Sequence, residues 1–429
     1  MALNDLEAPS HRSAFGALAA VLLGVAIFWA FGLQQALSAD EPPSGSSFDP
    51  ALVSKGAQLA AIGNCAACHT APHGKPFAGG RALRTPFGTI YGTNITPDPD
   101  TGIGQWSQAD FLRAMHDGVD RRGRHLYPAF PYDHFTRVTD EDVDAIYAFL
   151  MTRDLVRAET PRNELAFPLN IRATVGIWKL LYFRRGVFQP APSENAQWNR
   201  GAYLAEGLAH CAACHTPRNF LGAEKKRLDF TGGESAGWHA PALNAASSAP
   251  SPWTADRLFA YLRQGMDDVH DAAAGPMAQV VHNLSQVPEE DVRAIALYVA
   301  SLGGGQTPQR RASVSGVDTQ AVERGAAIYA GACASCHDMG RQVLGGALEL
   351  SLSTSVAMPA PGNLIRIIRE GFVPADGEKG PWMPGFAGAL TDRQLTDLVI
   401  YLRAHVGEKP AWDGVAGEVE KAARNKSRE

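Results

Sequence analysis

The residues best placed to do chemistry sit in three pentapeptides: Cys65-Ala66-Ala67-Cys68-His69, Cys211-Ala212-Ala213-Cys214-His215 and Cys333-Ala334-Ser335-Cys336-His337. Together they use all six cysteines of the chain. Two thiols on one short turn can add across the two vinyl groups of a porphyrin. The adjacent imidazole then holds the iron from one side, and C-x-x-C-H is the attachment signature of c-type haem. The same cysteine spacing serves zinc sites and thioredoxin-like redox pairs. Zinc would need a second pair of ligands per site, and no cysteine is left to supply it. A redox pair has no need of histidine at the fifth place every time. The pentapeptides therefore predict three haem c groups, anchored by Cys65, Cys68, Cys211, Cys214, Cys333 and Cys336. His69, His215 and His337 are the expected axial ligands.

The opposite side of each iron follows by counting. Met277 stands twelve residues after Gly265, and Met383 twelve after Gly371. A loop thioether is the usual second ligand of a small cytochrome c, and it raises the reduction potential. A single methionine is more often core filler, but two at one offset, each beside proline, predict ligands. The same count from Gly118 reaches Phe130, which cannot bind iron. The first haem then takes another ligand or keeps an open position. His134, four residues on, is the first choice, because imidazole is the other common low-spin ligand; His116, His125 and Met115 compete with it.

These residues need elements to carry them, and the chain supplies a threefold repeat. Each unit opens on a helical pattern with a basic residue and glycine: Lys55-Gly56, Arg200-Gly201, Arg324-Gly325. A second helix ends in Gly118, Gly265 or Gly371, the first two after the lead-ins Trp106-Ser107 and Trp253-Thr254. A third follows an acidic or threonine N-cap at Thr139, Pro288-Glu289-Glu290-Asp291 or Thr391. At 429 residues the chain has room for about three domains. A net charge of −5 without basic runs leaves no footprint for nucleic acid.

Flanks and linkers set the context. Ala14 to Leu33 is an apolar run of twenty residues, the length of a bilayer span and longer than a usual signal-peptide core. A retained anchor is favoured over cleavage near Ala36-Leu37-Ser38; either way the body is exported. Asp40 to Ser47 reads as a flexible tether. Phe167 to Phe188 is apolar and aromatic with basic punctuation; a helix packed between domains is favoured, because Trp and Phe are mostly buried, over a face toward a membrane or partner. Gly303-Gly304-Gly305 is a hinge. After Val406 the tail is polar, with Trp412, Val415 and Val419 as a thin apolar stripe; docking on a partner or disorder are its two readings.

The stretches His125-Leu-Tyr-Pro-Ala-Phe-Pro-Tyr132, Trp198-Asn-Arg-Gly-Ala-Tyr203, His210 to Pro217, Gly275 to Val281 and Met383-Pro-Gly-Phe386 resemble the triheme cytochrome c subunits of membrane-bound bacterial dehydrogenases, over roughly Phe48 to Val406. The resemblance implies an all-α fold of three tandem class I cytochrome c domains after an N-terminal membrane segment. Its expected boundaries are 1–39 for the signal anchor or signal peptide, 48–155, 195–302 and 319–408 for the domains, 156–194 for the aromatic linker, 303–318 for the hinge and 409–429 for the tail. Alcohol- and gluconate-linked members usually have methionine where Phe130 stands. Variants reading Tyr-Pro-Ala-Phe-Pro-Tyr-Asp-His resemble cytochromes that accompany molybdenum hydroxylases. The implied function is electron transfer from a dehydrogenase, on the periplasmic side of the inner membrane, to ubiquinone or another respiratory acceptor. A molybdopterin aldehyde or N-heterocycle oxidoreductase with an iron–sulfur subunit is the favoured partner. A quinoprotein alcohol dehydrogenase or flavin gluconate dehydrogenase is the alternative, and a haem enzyme with an open first iron a further one.

Overall fold

A basic residue followed by glycine opens each repeat because that helix crosses the closing helix at backbone contact. A computed structural model describes residues 48–267, 269–304, 318–338, 348–372 and 382–426. The apolar run Ala14–Leu33, the tether and hinge residues 305–317 lie outside the described residues. The opening helices are Pro50–Ile62, Ala196–Tyr203 and Thr319–Ala332; the closing helices are Asp140–Met151, Glu289–Leu302 and Asp392–Tyr401. A Cβ on Gly56, Gly201 or Gly325 would lie 1.8, 1.9 or 2.3 Å from the carbonyl oxygen of Ala145, Ala294 or Asp397. Only glycine allows that approach. The preceding cation binds the closing helix: Lys55 to Asp142 at 2.5 Å, and the Arg200 and Arg324 forks to both oxygens of Asp291 and Asp397. Such fork-to-carboxylate pairs fix orientation as well as distance.

The second helices, Gln108–Asp117, Ala255–Gln264 and Gly362–Glu370, pack near them. Ser107 and Thr254, the residues after the tryptophans, are their N-caps, and Gly118 and Gly265 end them in the left-handed conformation. The closing helices start at Thr139 and Thr391 with side-chain caps, whereas Pro288 offers none. The expected all-helical fold needs one addition. Ala82–Thr85, Gly88–Tyr91 and Glu164–Leu165 form a small antiparallel sheet, and Gly233–Ser235 pairs with Trp238–Ala240. These strands are too short to leave an alternating pattern in the sequence.

The chain divides into two compact units, one ending at Phe188 and the other running from Gln189, with Gln58–Asn64 added to it. Residues 156–188 thus fold as part of the first unit. Val156, Ala158 and Thr160 bond to the Asn94–Thr101 loop, and Glu164–Leu165 completes the first sheet. The helix Thr174–Tyr182 buries Val175, Gly176 and Lys179. In the second unit, the tail forms a helix, Val415–Lys426. Val415 and Val419 enter the core around Ile365, Leu395 and Leu398, and the Trp412 indole donates to the Met358 carbonyl at 2.9 Å. The thin apolar stripe is therefore core of the chain's own third repeat.

Candidate haem sites

Each pentapeptide ends in a helical turn, at Cys65–His69, Ala212–His215 and Ala334–His337. All six cysteines are free and half-buried. Burial pushes the bare thiols of Cys65 and Cys211 up to about 12 and that of Cys333 up to about 11. The three histidines share one arrangement. Nδ1 lies 2.7 Å from the Thr93 carbonyl in His69, 2.6 Å from the Pro241 carbonyl in His215 and 2.9 Å from the Leu348 carbonyl in His337. A carbonyl only accepts, so the proton sits on Nδ1 and the Nε2 lone pair is left for a metal. Burial also lowers the pKa of His69 and His215, which keeps both rings neutral. Free thiols in pairs beside imidazoles oriented through Nδ1 are the donor set that haem c requires. When bound, the group supplies a one-electron couple whose potential its axial ligands tune.

Beyond their second helices, the first two repeats share a backbone register. Leu126 donates to the Gly118 carbonyl and Ala273 to the Gly265 carbonyl, both at 2.7 Å and both eight residues after the glycine. Four residues on stand Phe130 and Met277, so the two occupy one structural position. Phe130 packs on Phe135 with ring centroids 5.2 Å apart. Met277 is half-buried at the start of the helix Pro276–Leu284, after Gly275. The third repeat differs. Met383 pairs directly with Phe372, each amide donating to the other's carbonyl at 2.9 Å. In the other repeats the residue after the glycine pairs six residues on, Val119 with His125 and Met266 with Ala272. The shared count of twelve is thus not a shared backbone position.

His134 is buried in the short turn Tyr132–Phe135. His116 has Nε2 on the Val138 carbonyl at 2.9 Å and Nδ1 3.7 Å from Asp140. His125 meets Lys179 Nζ through Nδ1 at 3.1 Å, and Met115 is core. Two groups escape sequence reading. Of the aspartates that clamp the opening helices, Asp142 and Asp291 are hidden among the acids of the caps, and Asp397 lies within its helix. Lys179, in an apolar segment, reaches back to the end of the second helix, donating to the carbonyls of Asp117 and Gly118 at 2.5 and 2.7 Å.

The family model described as Cytochrome c matches residues 53–154 and 199–303. The one described as Cytochrome C oxidase, cbb3-type, subunit III matches residues 320–402, the repeat whose loop register differs. The chain is 44% identical over 439 residues to a nicotinate dehydrogenase subunit of Pseudomonas putida, covering 98% of this chain. It spans only 37% of that protein's length. It is 37% identical over 404 residues to the fructose dehydrogenase cytochrome subunit of Gluconobacter japonicus, covering 86% of this chain and 82% of that one. Against the gluconate 2-dehydrogenase cytochrome c subunit of Pantoea cypripedii the identity is 38% over 383 residues, 83% of this chain and 86% of that one. With these relatives and the haem-ready turns, the chain belongs to the family of cytochrome c subunits of dehydrogenases.

Proposed function

We propose that the chain carries three haem c groups and passes electrons from a partner dehydrogenase to the respiratory chain, through quinone or a terminal acceptor. The observation that carries this reading is the repeated turn of two free thiols and one histidine oriented through Nδ1. Met277 and Met383 are the proposed second ligands of the second and third irons, and His134 that of the first. The place of His134, buried in the turn that follows Phe130, supports the last choice. With both axial positions filled, the chain's residues hold and tune the haems and act on no substrate. Similarity to a nicotinate dehydrogenase subunit, together with the Phe130 to His134 variant, supports a molybdopterin N-heterocycle oxidoreductase with an iron–sulfur subunit as partner. The fructose and gluconate dehydrogenase cytochromes support the second reading, a sugar- or alcohol-oxidising partner. On this reading the body lies on the periplasmic face of the inner membrane, anchored through the apolar run Ala14–Leu33. Among the described residues no helix is long and apolar enough to cross a membrane.

Redox titration with spectroscopy tests the assignment. Met277→His and Met383→His should each lower one midpoint, because imidazole favours the oxidised iron relative to a thioether. His134→Ala should turn one haem high-spin. A holoprotein with fewer than three haems by mass, or unchanged midpoints and spectra in these variants, overturns it.

A further inference from the structure

The helix Thr174–Tyr182 is firmly held on one side and bare on the other. Val175, Gly176 and Lys179 are buried against the first unit. Ile177, Leu180 and Leu181, at helical spacing on another face, are exposed. Seven of the twelve large hydrophobic side chains exposed among the described residues fall between Phe167 and Val187, Phe167 at 79% and Leu181 at 58%. A cluster of this kind marks a contact surface.

Its charge says what it contacts. No Asp or Glu occurs from Leu165 to Ser193, and Arg184 and Arg185 are exposed there, in a chain of net charge −5; Arg172 is half-buried and Lys179 belongs to the held side. Arg185 lies 3.4 Å from Asp117. Arg184 lies beside the bare face, its guanidinium donating to the carbonyls of Leu180 and Phe183. Trp178 and Tyr182, ring centroids 5.4 Å apart, are half-buried along the same helix. Exposed aliphatic residues, flanking arginines and adjacent aromatic rings are the composition of a helix that lies in a lipid headgroup layer.

We propose that Phe167–Val187 is a docking face for an anionic bilayer, with the helix lying along the surface rather than across it. The order of the chain agrees. In the sequence, the tether residues Asp40–Ser47 follow the apolar run Ala14–Leu33. Phe48, where the first unit begins, follows at once, so a retained anchor holds the unit that bears this face close to the membrane. The tether depends on the anchored reading proposed above; the exposure and charge of the face do not.

Hydrogen exchange on the full-length holoprotein tests it, with and without vesicles of phosphatidylglycerol and phosphatidylethanolamine. The amides of residues 174–188 should exchange at least about tenfold more slowly on these vesicles, and less so on phosphatidylcholine alone. The double variant Leu181→Asp, Arg184→Glu should lose that protection. If the variant still sediments with vesicles, the anchor holds independently; if sedimentation is lost too, the face is the attachment and the anchored reading falls. Absence of protection on vesicles that sediment the protein overturns the docking face. So does protection unchanged in the variant, or protection that appears only when the partner dehydrogenase is added.

Discussion

Lys179 shows how one side chain can be satisfied in either charge state and still titrate abnormally. Its Nζ meets the carbonyls of Asp117 and Gly118 and Nδ1 of His125, and lies 4.5 Å from the Tyr132 ring centroid. As an ammonium it donates to all three polar partners; as an amine it donates twice and accepts from His125. What distinguishes the two states is burial, which lowers its pKa from 10.5 to about 7, Asp117 opposing the shift and Arg113 adding to it. Between pH about 7 and 10.5 the unfolded chain therefore binds the proton that the folded chain has released, and stability should rise with pH across that window. Denaturation at a series of pH values should show this slope in the wild type and its loss in Lys179→Met. That variant should also be about 1–3 kcal/mol less stable near neutral pH, because it leaves the two carbonyls unpaired. A wild-type slope of the opposite sign, or none, would refute the buried-amine account.

At the scale of elements, the helix crossings set the frame. Gly201→Ala improves helix propensity by about 1 kcal/mol. It also drives a methyl to 1.9 Å from the Ala294 carbonyl, against backbone that cannot swing aside. Overpacking of that kind costs about 1–3 kcal/mol or more, so the variant should be destabilised in chemical denaturation despite its propensity. Gly417→Ala, in a helix where nothing lies within 4 Å, should shift stability the other way. Equal gains at both sites would show that the crossings are loose. These crossings also mark how much of the fold was legible. Lys55-Gly56, Arg200-Gly201 and Arg324-Gly325 stand out in the sequence because close approach demands one residue type. Their acid partners do not, since Asp142 and Asp291 sit within cap sequences that already call for acids. In the third repeat the partner is Asp397, the residue whose own carbonyl meets the glycine. The haem turns are legible because covalent chemistry fixes their spacing. The carbonyls that orient their histidines are not, because a backbone oxygen leaves no trace in residue type. Counting twelve residues from a glycine reaches Met277 and Met383 alike but not one backbone position, because loop length does not record where the strand pairing falls.

At the scale of the molecule, the second unit joins two repeats through polar contacts at the loop that carries Met277. Asp271 accepts from Ser355 N at 2.9 Å, from Ser355 Oγ at 2.5 Å and from Ser353 Oγ at 3.2 Å. Thr354 donates to the His270 carbonyl at 3.1 Å, and the Asn363 side chain closes two bonds on the His239 backbone, at 2.9 and 2.8 Å. These bonds hold the second and third repeats together, and on the proposed three-haem reading they would fix the separation of two haems. Asp271→Ala would strip an acceptor from one backbone amide and two hydroxyls at once, costing about 2–4 kcal/mol. In a unit of this size that corresponds to a fall of roughly 5–10 °C in melting temperature. Calorimetry should then show the melt of the second unit lowered or split in two, with that of the first unit unmoved. On the proposed three-haem reading, electron exchange between the second and third haems should slow as well, with both midpoints unchanged, since no axial ligand is touched. A second unit that melts as before, with exchange undiminished, would mean that Asp271 does not set how the two repeats are held.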